Sequence, residues 1–397
     1  MLAENTTGSR SPLLPVGGRT ALHSGRGQPA GTTLLDVSAL NRIIDYPARD
    51  LTITVEAGLR IEELTETLAK ERQRLPIDIP QAHRATIGGA IASNTSGPGR
   101  YGYGTLRDYV IGISGVDGHG RIFSAGGRVV KNVAGYDLCK LLIGSHGTLA
   151  VITQVTLKLK PVAEKRSLVL VPVESIAQIE RILELLNTSL TRPVVLDVLN
   201  PKAVSQVRKE VRLAASGSQW LCCIGYEGNV PETDWQIETV QQELLPLQTG
   251  TPLLISGEDA DRVWQALTEY QTASDDPVSV QISVLPSQVS RVLDRASQLG
   301  LAIQAHAGNG VLIGHLPDRC STPELASDLL QELSPLLQEH HGKLQILHCE
   351  EDWSAHLSRH CTPLPEAALH QQMKAAFDPA NTLSPGWLKT AAQIETV

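Results

Sequence analysis

The chain has 397 residues, of which 42% are hydrophobic and 19% are charged, and its formal net charge at pH 7 is −8. This length allows two domains with separate buried cores, and the composition is that of an ordinary globular protein. The acidic balance excludes the basic surface expected of a protein that binds nucleic acid or anionic membrane. No run approaches the ~20 apolar residues of a membrane-spanning helix, and the first ten residues lack a signal-peptide pattern. We therefore expect a cytoplasmic protein.

Six cysteines are spread along the chain, without a CxxC pair or a closely spaced run. Zinc and iron–sulfur sites use such spacings, so metal–thiolate chemistry is not indicated. We expect no metal site in this chain.

The residues up to Pro161 predict short strands and helices punctuated by glycine. Thr52 to Val55 predict a strand, and the apolar spacing from Ile61 to Lys70 predicts a helix. Residues 110–116 and 121–124 flank Asp-Gly-His-Gly, a sequence that favours a hairpin because glycine accepts positive φ. A helical stripe follows at 138–142 and ends at a glycine, and residues 151–160 alternate as a half-buried strand does.

Beyond Pro161, strands and helices alternate in longer pieces, which indicates an α+β fold. The predicted strands are 168–171, 194–198, 220–226, 278–284, 301–306, 311–315 and 344–348. The predicted helices are 176–186, 234–245, 289–299 and 323–338.

Gly97-x-Gly99-x-x-Gly102 matches the dinucleotide-binding fingerprint letter for letter. A Rossmann loop requires a strand before it and a helix after it. Here polar residues precede the motif, Tyr103-Gly104-Thr105 follows it, and Pro98 lies inside it. We therefore do not expect a nicotinamide site at these glycines.

Two other glycine loops indicate a phosphate-bearing ligand. In Gly17-Gly18-Arg19-Thr20, two glycines allow backbone amides to approach an anion, and a hydroxyl lies beside them. The segment from Thr86 to Asn94 consists of small residues against which a ligand could lie, in an arrangement suited to a helix N-terminus. Two such loops, about 70 residues apart, predict an extended ligand that spans both.

These loops belong to a longer series of motifs that resembles a known family. The segment from Pro15 to Pro161 resembles the FAD-binding domain of the vanillyl-alcohol-oxidase (PCMH) type, and it is most similar to the FAD-binding subunits of bacterial glycolate oxidases. Residues 304–310 and 377–386 resemble the same subunits, so the similarity covers almost the whole chain. The ordered motifs of the first segment lie at residues 15–20, 86–89, 94–102, 106–110, 126–137 and 144–149.

The resemblance implies an FAD-dependent oxidoreductase that acts on CH–OH groups. It implies a PCMH-type FAD-binding domain at residues 1–161 and an FAD-linked oxidase domain at 162–397. The second domain is expected to be an α+β cap or substrate domain with an antiparallel sheet and a short C-terminal FAD-oxidase segment. The residues expected to bind FAD are Gly17, Gly18, Arg19, Thr20, Thr86, Gly88, Gly89, Ser93, Asn94, Gly97, Arg107, Gly144, Gly147 and Ile152.

The start of the chain departs from the family pattern. Relatives carry a strand–helix–strand unit before the first glycine loop, whereas about fourteen residues precede Pro15 here. We expect that unit to be missing, which would leave a sheet edge without a partner strand. Some relatives attach flavin covalently to a histidine of the first loop, but His23 falls outside the Gly17–Thr20 turn, so we expect non-covalent FAD.

Oxidation of a 2-hydroxy acid requires a base for the hydroxyl proton, and His306 is the best candidate. A turn at Gly308-Asn309 would pair His306 with Val311 and would place His315 opposite Ala302. The two histidines would then lie about 13 Å apart at ~3.3 Å per residue, too far to share one metal. A histidine that merely packs beside the flavin is an equally good interpretation. No arginine accompanies His306 in the sequence.

Three hypotheses follow. The first is an FAD-bearing subunit of a glycolate oxidase or dehydrogenase complex, which converts glycolate to glyoxylate. By resemblance, its partners would be a homologous flavoprotein subunit and an iron–sulfur subunit that receives the electrons, and those partners would hold the chain at the inner membrane. The second is a self-sufficient FAD-dependent dehydrogenase of another 2-hydroxy acid, such as D-lactate. The third is a structural or assembly subunit without redox activity.

Overall fold

The computed structural model describes residues 11–22, 31–127, 137–211, 219–272, 276–362 and 366–387. It has the expected α+β architecture, in which helices pack on antiparallel sheets. Among the described residues, no helix has both the length and the apolar character needed to cross a membrane.

The first half of the chain folds around a five-stranded antiparallel sheet with the strand order β3-β4-β8-β6-β7. The strands of this half of the chain are β1 (Leu13–Val16), β2 (Thr33–Asp36), β3 (Ile43–Asp45), β4 (Thr52–Glu56), β5 (Gln73–Arg74), β6 (Val110–Asp117), β7 (Ile122–Gly126), β8 (Ala150–Lys158) and β9 (Lys160–Pro161). β1 pairs with β2 and β5 pairs with β9 in two further two-stranded sheets. The helices of this half are α1 (Ile61–Ala69), α2 (Ile87–Ser93), α3 (Arg100–Tyr103), α4 (Leu106–Tyr109) and α5 (Leu138–Leu142).

The predicted hairpin between β6 and β7 is confirmed. A carboxylate oxygen of Asp117 accepts hydrogen bonds from the backbone N–H groups of His119, at 3.0 Å, and Arg121, at 2.9 Å. Gly120 has a φ of +79°, which a glycine adopts at little cost. The short polar turn thus closes the hairpin for the reason that its sequence indicates.

A small sheet lies beside the first glycine loop. β1 pairs with β2 in parallel, and its other edge bonds to the C-terminal segment, where Leu13 N–H donates to Thr382 and Ser384 N–H donates to Leu13. The expectation of an unpaired edge is therefore wrong for β1, because residues near the far end of the sequence pair with it. This pairing brings the C-terminal segment to the glycine loops.

The second half forms an eight-stranded antiparallel sheet with the order β13-β10-β12-β11-β15-β16-β14-β17. Its strands are β10 (Lys165–Val173), β11 (Val195–Leu199), β12 (Trp220–Gly228), β13 (Leu253–Ser256), β14 (Val278–Ser283), β15 (Ala302–His306), β16 (Val311–His315) and β17 (Lys343–Cys349). Its helices are α6 (Ile176–Thr188), α7 (Pro201–Glu210), α8 (Val230–Leu244), α9 (Glu258–Glu269), α10 (Val289–Gln298), α11 (Pro323–Glu339), α12 (Ser354–Leu357) and α13 (Ala367–Phe377).

All the strands and helices predicted beyond Pro161 are present, with their ends shifted by a few residues. The register of the β15–β16 hairpin is also as predicted, since His306 pairs with Val311 and Ala302 pairs with His315. The connection is a 3₁₀ turn at Ala307–Asn309 followed by Gly310 with a φ of +70°, which is longer than a two-residue turn. The domain division at residue 161 stays a prediction.

Candidate functional site

The two predicted glycine loops touch one another in the structure. A Cβ atom added at Gly17 would lie 2.2 Å from Oγ1 of Thr86, and one added at Gly18 would lie 1.8 Å from the carbonyl oxygen of Arg84. Real Cβ atoms are not found so close to other atoms, so the first loop can lie on the second only because both residues are glycine. The loops form one continuous backbone surface.

The second loop has one glycine that faces protein and one that faces open space. Thr86 caps α2 and accepts a hydrogen bond from the Gly89 N–H at 3.3 Å. A Cβ at Gly88 would lie 2.6 Å from the side chain of buried Ala57, whereas one at Gly89 would approach only the Thr86 hydroxyl, at 3.1 Å. Gly89 is exposed and leaves a bare stretch of backbone at the surface.

A cleft of about 110 Å³ runs between the loops. Thr20, Ala21 and Ser93 line this cleft and also a second cavity of about 520 Å³, so the two spaces adjoin. The larger cavity lies between the two halves of the chain, with α2 and α3 on one side and the eight-stranded sheet on the other. An extended ligand held by the glycine loops would therefore enter a polar chamber.

His306 lines the large cavity as part of a hydrogen-bonded network. Its Nδ1 lies 2.7 Å from Oδ1 of Asp197, and Oδ2 of the same carboxylate accepts from Nε2 of Gln304 at 2.6 Å. All three side chains are buried. Because a carboxylate only accepts, Nδ1 carries the hydrogen and Nε2 is the ring atom that can take up a proton. The network thus fixes the orientation of a possible base.

Arg100 lines the same cavity, although no arginine lies near His306 in the sequence. Its Nη1 donates to Oγ of Ser96 at 3.1 Å, while its buried Nε has no hydrogen-bond partner among the described residues. Burial lowers the pKa of the guanidinium, against the opposing attraction of Asp197. The prediction that no arginine accompanies His306 holds for the sequence but is wrong for the folded chain. The fold brings Arg100 of α3 and His306 of β15 to one cavity.

His315 belongs to a separate place in the fold. Its Nε2 lies 2.7 Å from the carbonyl oxygen of Tyr270 and its Nδ1 lies 3.2 Å from Asp276, and the residue does not line the cavity. Within the described ranges, no group of three His, Cys, Asp or Glu residues has the geometry to hold a metal ion.

Most of the predicted FAD-binding residues line one of the two spaces. Those in the cleft are Gly17, Gly18, Arg19, Thr20, Thr86, Gly88, Gly89, Ser93, Gly147 and Ile152, and those in the cavity include Asn94 and Gly144. Gly97 packs against Asp78, and Arg107 donates to the carbonyl of Lys140 at 2.8 Å, so neither lines the cleft or the cavity. Their role as cofactor ligands stays a prediction, and His23 lies outside the described residues.

An aromatic pair at the junction of the two spaces was missed from the sequence. The rings of His146 and Trp387 stack with centroids 3.9 Å apart, and both residues line the cleft and the cavity. Trp387 follows the segment that pairs with β1, so the C-terminus contributes to this junction. The available signal was the position of Trp387, which directly follows Gly386, the last residue of the C-terminal motif that resembles the glycolate oxidase subunits.

Comparison with known families agrees with this geometry. The profile described as "FAD binding domain" matches residues 6–126, and the one described as "FAD linked oxidases, C-terminal domain" matches residues 162–388. The chain belongs to the FAD-linked oxidases. It is an FAD-dependent oxidoreductase with a PCMH-type FAD-binding domain, as the resemblance implied.

Several named proteins are similar to this FAD-linked oxidase. Glycolate oxidase subunit GlcD of Bacillus subtilis is 26% identical, with 95% of this chain and 83% of that protein aligned. Glycolate oxidase subunit GlcE of Escherichia coli is 36% identical over 38% of this chain and 43% of its own length. The mitochondrial D-lactate dehydrogenase [cytochrome] of Arabidopsis thaliana is 30% identical over 75% of this chain and 54% of its own.

Among solved structures, an alkyldihydroxyacetonephosphate synthase superposes with a TM-score of 0.67. It covers 95% of this chain and 73% of that one at 16% identity, a likeness that shows the fold alone.

The residues present fit FAD. Gly89 leaves open the backbone edge that a pyrophosphate needs, and a side chain there would fill the cleft. Further along, Oδ1 of Asn94 is buried without a hydrogen-bond partner among the described residues, in a residue that lines the cavity. The glycine loops that line the cleft would hold the pyrophosphate, and the adjoining cavity would take the flavin ring.

Proposed function

We propose that this chain is the FAD-bearing subunit of a dehydrogenase complex that oxidises a 2-hydroxy acid, such as glycolate, to the 2-oxo acid. The observation that carries the proposal is that Arg100 and His306, the latter paired with Asp197, line one cavity that adjoins the glycine-loop cleft. A cation and an oriented base are the two groups that such a substrate requires.

In this proposal, the guanidinium of Arg100 binds the substrate carboxylate. Its buried Nε lacks a partner among the described residues, and a carboxylate would supply an acceptor for it. Nε2 of His306 takes the proton of the C2 hydroxyl, and the carboxylate of Asp197 stabilises the imidazolium that forms. FAD, when bound, would supply the oxidant for the removal of hydride from C2.

The partners belong to the same proposal. The similarity to glycolate oxidase subunits GlcD and GlcE supports a glycolate oxidase complex with a homologous flavoprotein subunit. The six cysteines are buried and scattered along the chain, without the close spacing that ligates a cluster, which favours electron transfer to a separate iron–sulfur subunit. We place this complex in the cytoplasm, at the inner membrane through its partners.

A second function is favoured by Arg100. With a carboxylate anchor in its own cavity, the chain would not need another subunit to bind substrate. It would then act as a self-sufficient dehydrogenase. The Arabidopsis relative is named a D-lactate dehydrogenase rather than a subunit. Turnover of the isolated FAD-loaded chain with an artificial acceptor, compared with turnover in the complex, separates the two functions.

The test of the proposed role is a pair of histidine variants. His306→Gln should keep its FAD and lose turnover by about 10²-fold or more, the contribution typical of a general base. His356→Gln is the matched control, because His356 is half exposed and does not line the cavity. Normal turnover of His306→Gln with FAD bound would reject the proposed base.

A further inference from the structure

The wall of the large cavity formed by β14 has an unusual composition for a covered sheet. Its alternate residues Val278, Val280 and Ile282 face a hydrophobic core and are fully buried. The opposite face carries Ser279, Gln281 and Ser283, and all three line the cavity. A sheet face covered by another part of the protein is ordinarily apolar, because an unpaired polar group costs free energy.

The neighbouring strand extends this polar surface. Gln345 of β17 pairs directly with Gln281 and lines the same cavity. Directly opposed side chains lie ~5 Å apart at Cβ, so the two amides are side by side. We call Ser279, Gln281, Ser283 and Gln345 the polar wall. It presents hydroxyl and amide groups that both donate and accept hydrogen bonds.

The polar wall is near the proposed base. The register runs from His306 to Val311 on β16 and from Val311 to Ser283 on β14. Two strand spacings separate His306 from Ser283, or about 10 Å at the backbone. The Gln281 side chain extends toward this end of the wall, since its Nε2 donates to Oγ of Ser283 at 3.4 Å. A substrate held with C2 at His306 would therefore extend its remaining carbons toward the polar wall.

The charge of the lining limits what the wall can bind. Among the described residues that line the cavity, Arg100 is the one Lys or Arg, and there is no Asp or Glu. His146, His306 and His348 are the titratable groups there. A second carboxylate at the polar wall would lack a fixed cation. Nε2 of Gln281 donates to Oγ of Ser283 at 3.4 Å, but an alkyl chain there would offer no partner for the remaining hydrogen-bonding groups of the wall. Neutral hydroxyl groups of a ligand can both donate to and accept from the hydroxyl and amide groups of the wall.

We infer that the substrate is a monocarboxylic 2-hydroxy acid whose carbons beyond C2 carry hydroxyl groups, as in an aldonic acid. This inference rests on the proposed function and narrows its substrate to 2-hydroxy acids longer than glycolate, which has no carbon beyond C2. Each hydroxyl group can donate to one wall residue and accept from another, which neither a methylene group nor a carboxylate can do.

Three kinds of five-carbon acid test the inference. D-Ribonate and D-arabinonate, which differ only at C2, carry hydroxyls at C3 to C5, whereas 2-hydroxypentanoate carries methylenes and 2-hydroxyglutarate ends in a carboxylate. Binding to the FAD-loaded chain is measured by calorimetry, and anaerobic flavin reduction is recorded in parallel. One of the two pentonates should bind about 10-fold or more tightly than the other two acids, as expected for two or more hydrogen bonds of ~1 kcal/mol each.

Variants of the wall assign the effect to its residues. Gln281→Leu should weaken pentonate binding by about 3- to 10-fold and leave 2-hydroxypentanoate unaffected or improved. Gln345→Arg should raise the affinity for 2-hydroxyglutarate, because it supplies the missing second cation. Gln298→Leu is the matched control, since Gln298 is exposed on α10 and lies outside the cavity.

The outcomes separate this inference from the proposed function. Should 2-hydroxypentanoate, glycolate or lactate reduce the flavin while neither pentonate binds better, the proposed function stands and the inference is wrong. Should no 2-hydroxy acid bind or reduce the flavin, both fail. Loss of FAD from Gln281→Leu, with no change in selectivity, would mean that the wall binds the flavin and would also overturn the inference.

Discussion

Replacing Asp197 with asparagine removes the charge beside His306 while keeping the size of the side chain. The Asp197 carboxylate is fully buried and accepts from His306 at 2.7 Å and from Gln304 at 2.6 Å. An asparagine offers one oxygen for these two donors. If its nitrogen faces the imidazole, Nδ1 must accept, and the hydrogen moves to Nε2. The ring atom proposed to take the substrate proton is then blocked.

The size of the effect follows from these contacts. A hydrogen bond to a charged group contributes ~1.5–3 kcal/mol, and a lost general base costs about 10²- to 10⁴-fold in rate. We therefore expect Asp197→Asn to slow flavin reduction by about 10²-fold or more. The affinity for substrate should change little, because Arg100 is retained to bind the carboxylate.

The assay is anaerobic stopped-flow reduction of the FAD-loaded variant, with substrate affinity measured by calorimetry. Asp276→Asn is the matched control, because Asp276 lies 3.2 Å from His315 in a second His–Asp pair outside the cavity. A wild-type rate of reduction in Asp197→Asn with FAD bound would refute the positioning role. Equal slowing in both variants would show a general effect of removing buried charge.

Three further predictions concern the cofactor and the fold. Gly89→Leu should abolish FAD binding with a normal unfolding transition, because the added side chain fills the cleft, and retained stoichiometric FAD would remove the second loop from the site. Lys374→Met should lower the free energy of unfolding by about 3–5 kcal/mol in urea titrations, because it leaves the carboxylate of Asp378 buried without its partner at 2.6 Å; an unchanged midpoint would contradict this. Burial lowers the pKa of His360 below 6.5, so the unfolded chain binds more protons there, and stability should fall as pH drops from 6.5 through the folded pKa. Denaturant titrations across that range should show a smaller loss in His360→Gln, and an identical pH dependence would rule out this histidine as the cause.

Local patterns were sufficient for much of the fold. The alternation of β8, the turn residues between β6 and β7 and the register of the β15–β16 hairpin all depend on neighbours in the sequence. The two glycine loops could be recognised for the same reason, since the need for absent side chains is visible in the residue types. The rejected fingerprint at Gly97 was judged on local context as well, and Gly97 and Gly99 pack against Asp78 in the structure.

Elements with weaker patterns were missed. α7 and α9 carry many polar residues and were not predicted, although their buried side chains pack on the eight-stranded sheet. The partner of β1 was also missed, because it comes from the C-terminal segment around Leu383. Nothing in either short stretch indicates the other.

In the candidate site too, features that depend on neighbouring residues were predicted, and those that depend on distant residues were missed. His306 was found from its motif, but its partners Asp197 and Arg100 lie on other elements, and only the tertiary fold brings them together. One signal was available for Asp197, because a carboxylate within the apolar run Val194–Val198 must find a partner when buried. Arg100 lies among Gly97, Gly99 and Gly102 in the sequence. These neighbours do not indicate which cavity its side chain lines.

Oxidation of a 2-hydroxy acid in this cavity is tested by the isotope effect on flavin reduction in the isolated, FAD-loaded chain. Substrate carrying deuterium at C2 is mixed with the chain without oxygen, and the bleaching of the flavin is followed in a single turnover. If His306 and Arg100 act as proposed, the flavin is bleached, deuterium slows the bleaching several-fold, and Arg100→Met requires far more substrate for the same rate. A flavin that stays oxidised with every 2-hydroxy acid, in a chain shown to be folded and loaded, would contradict the claim that this cavity oxidises such acids.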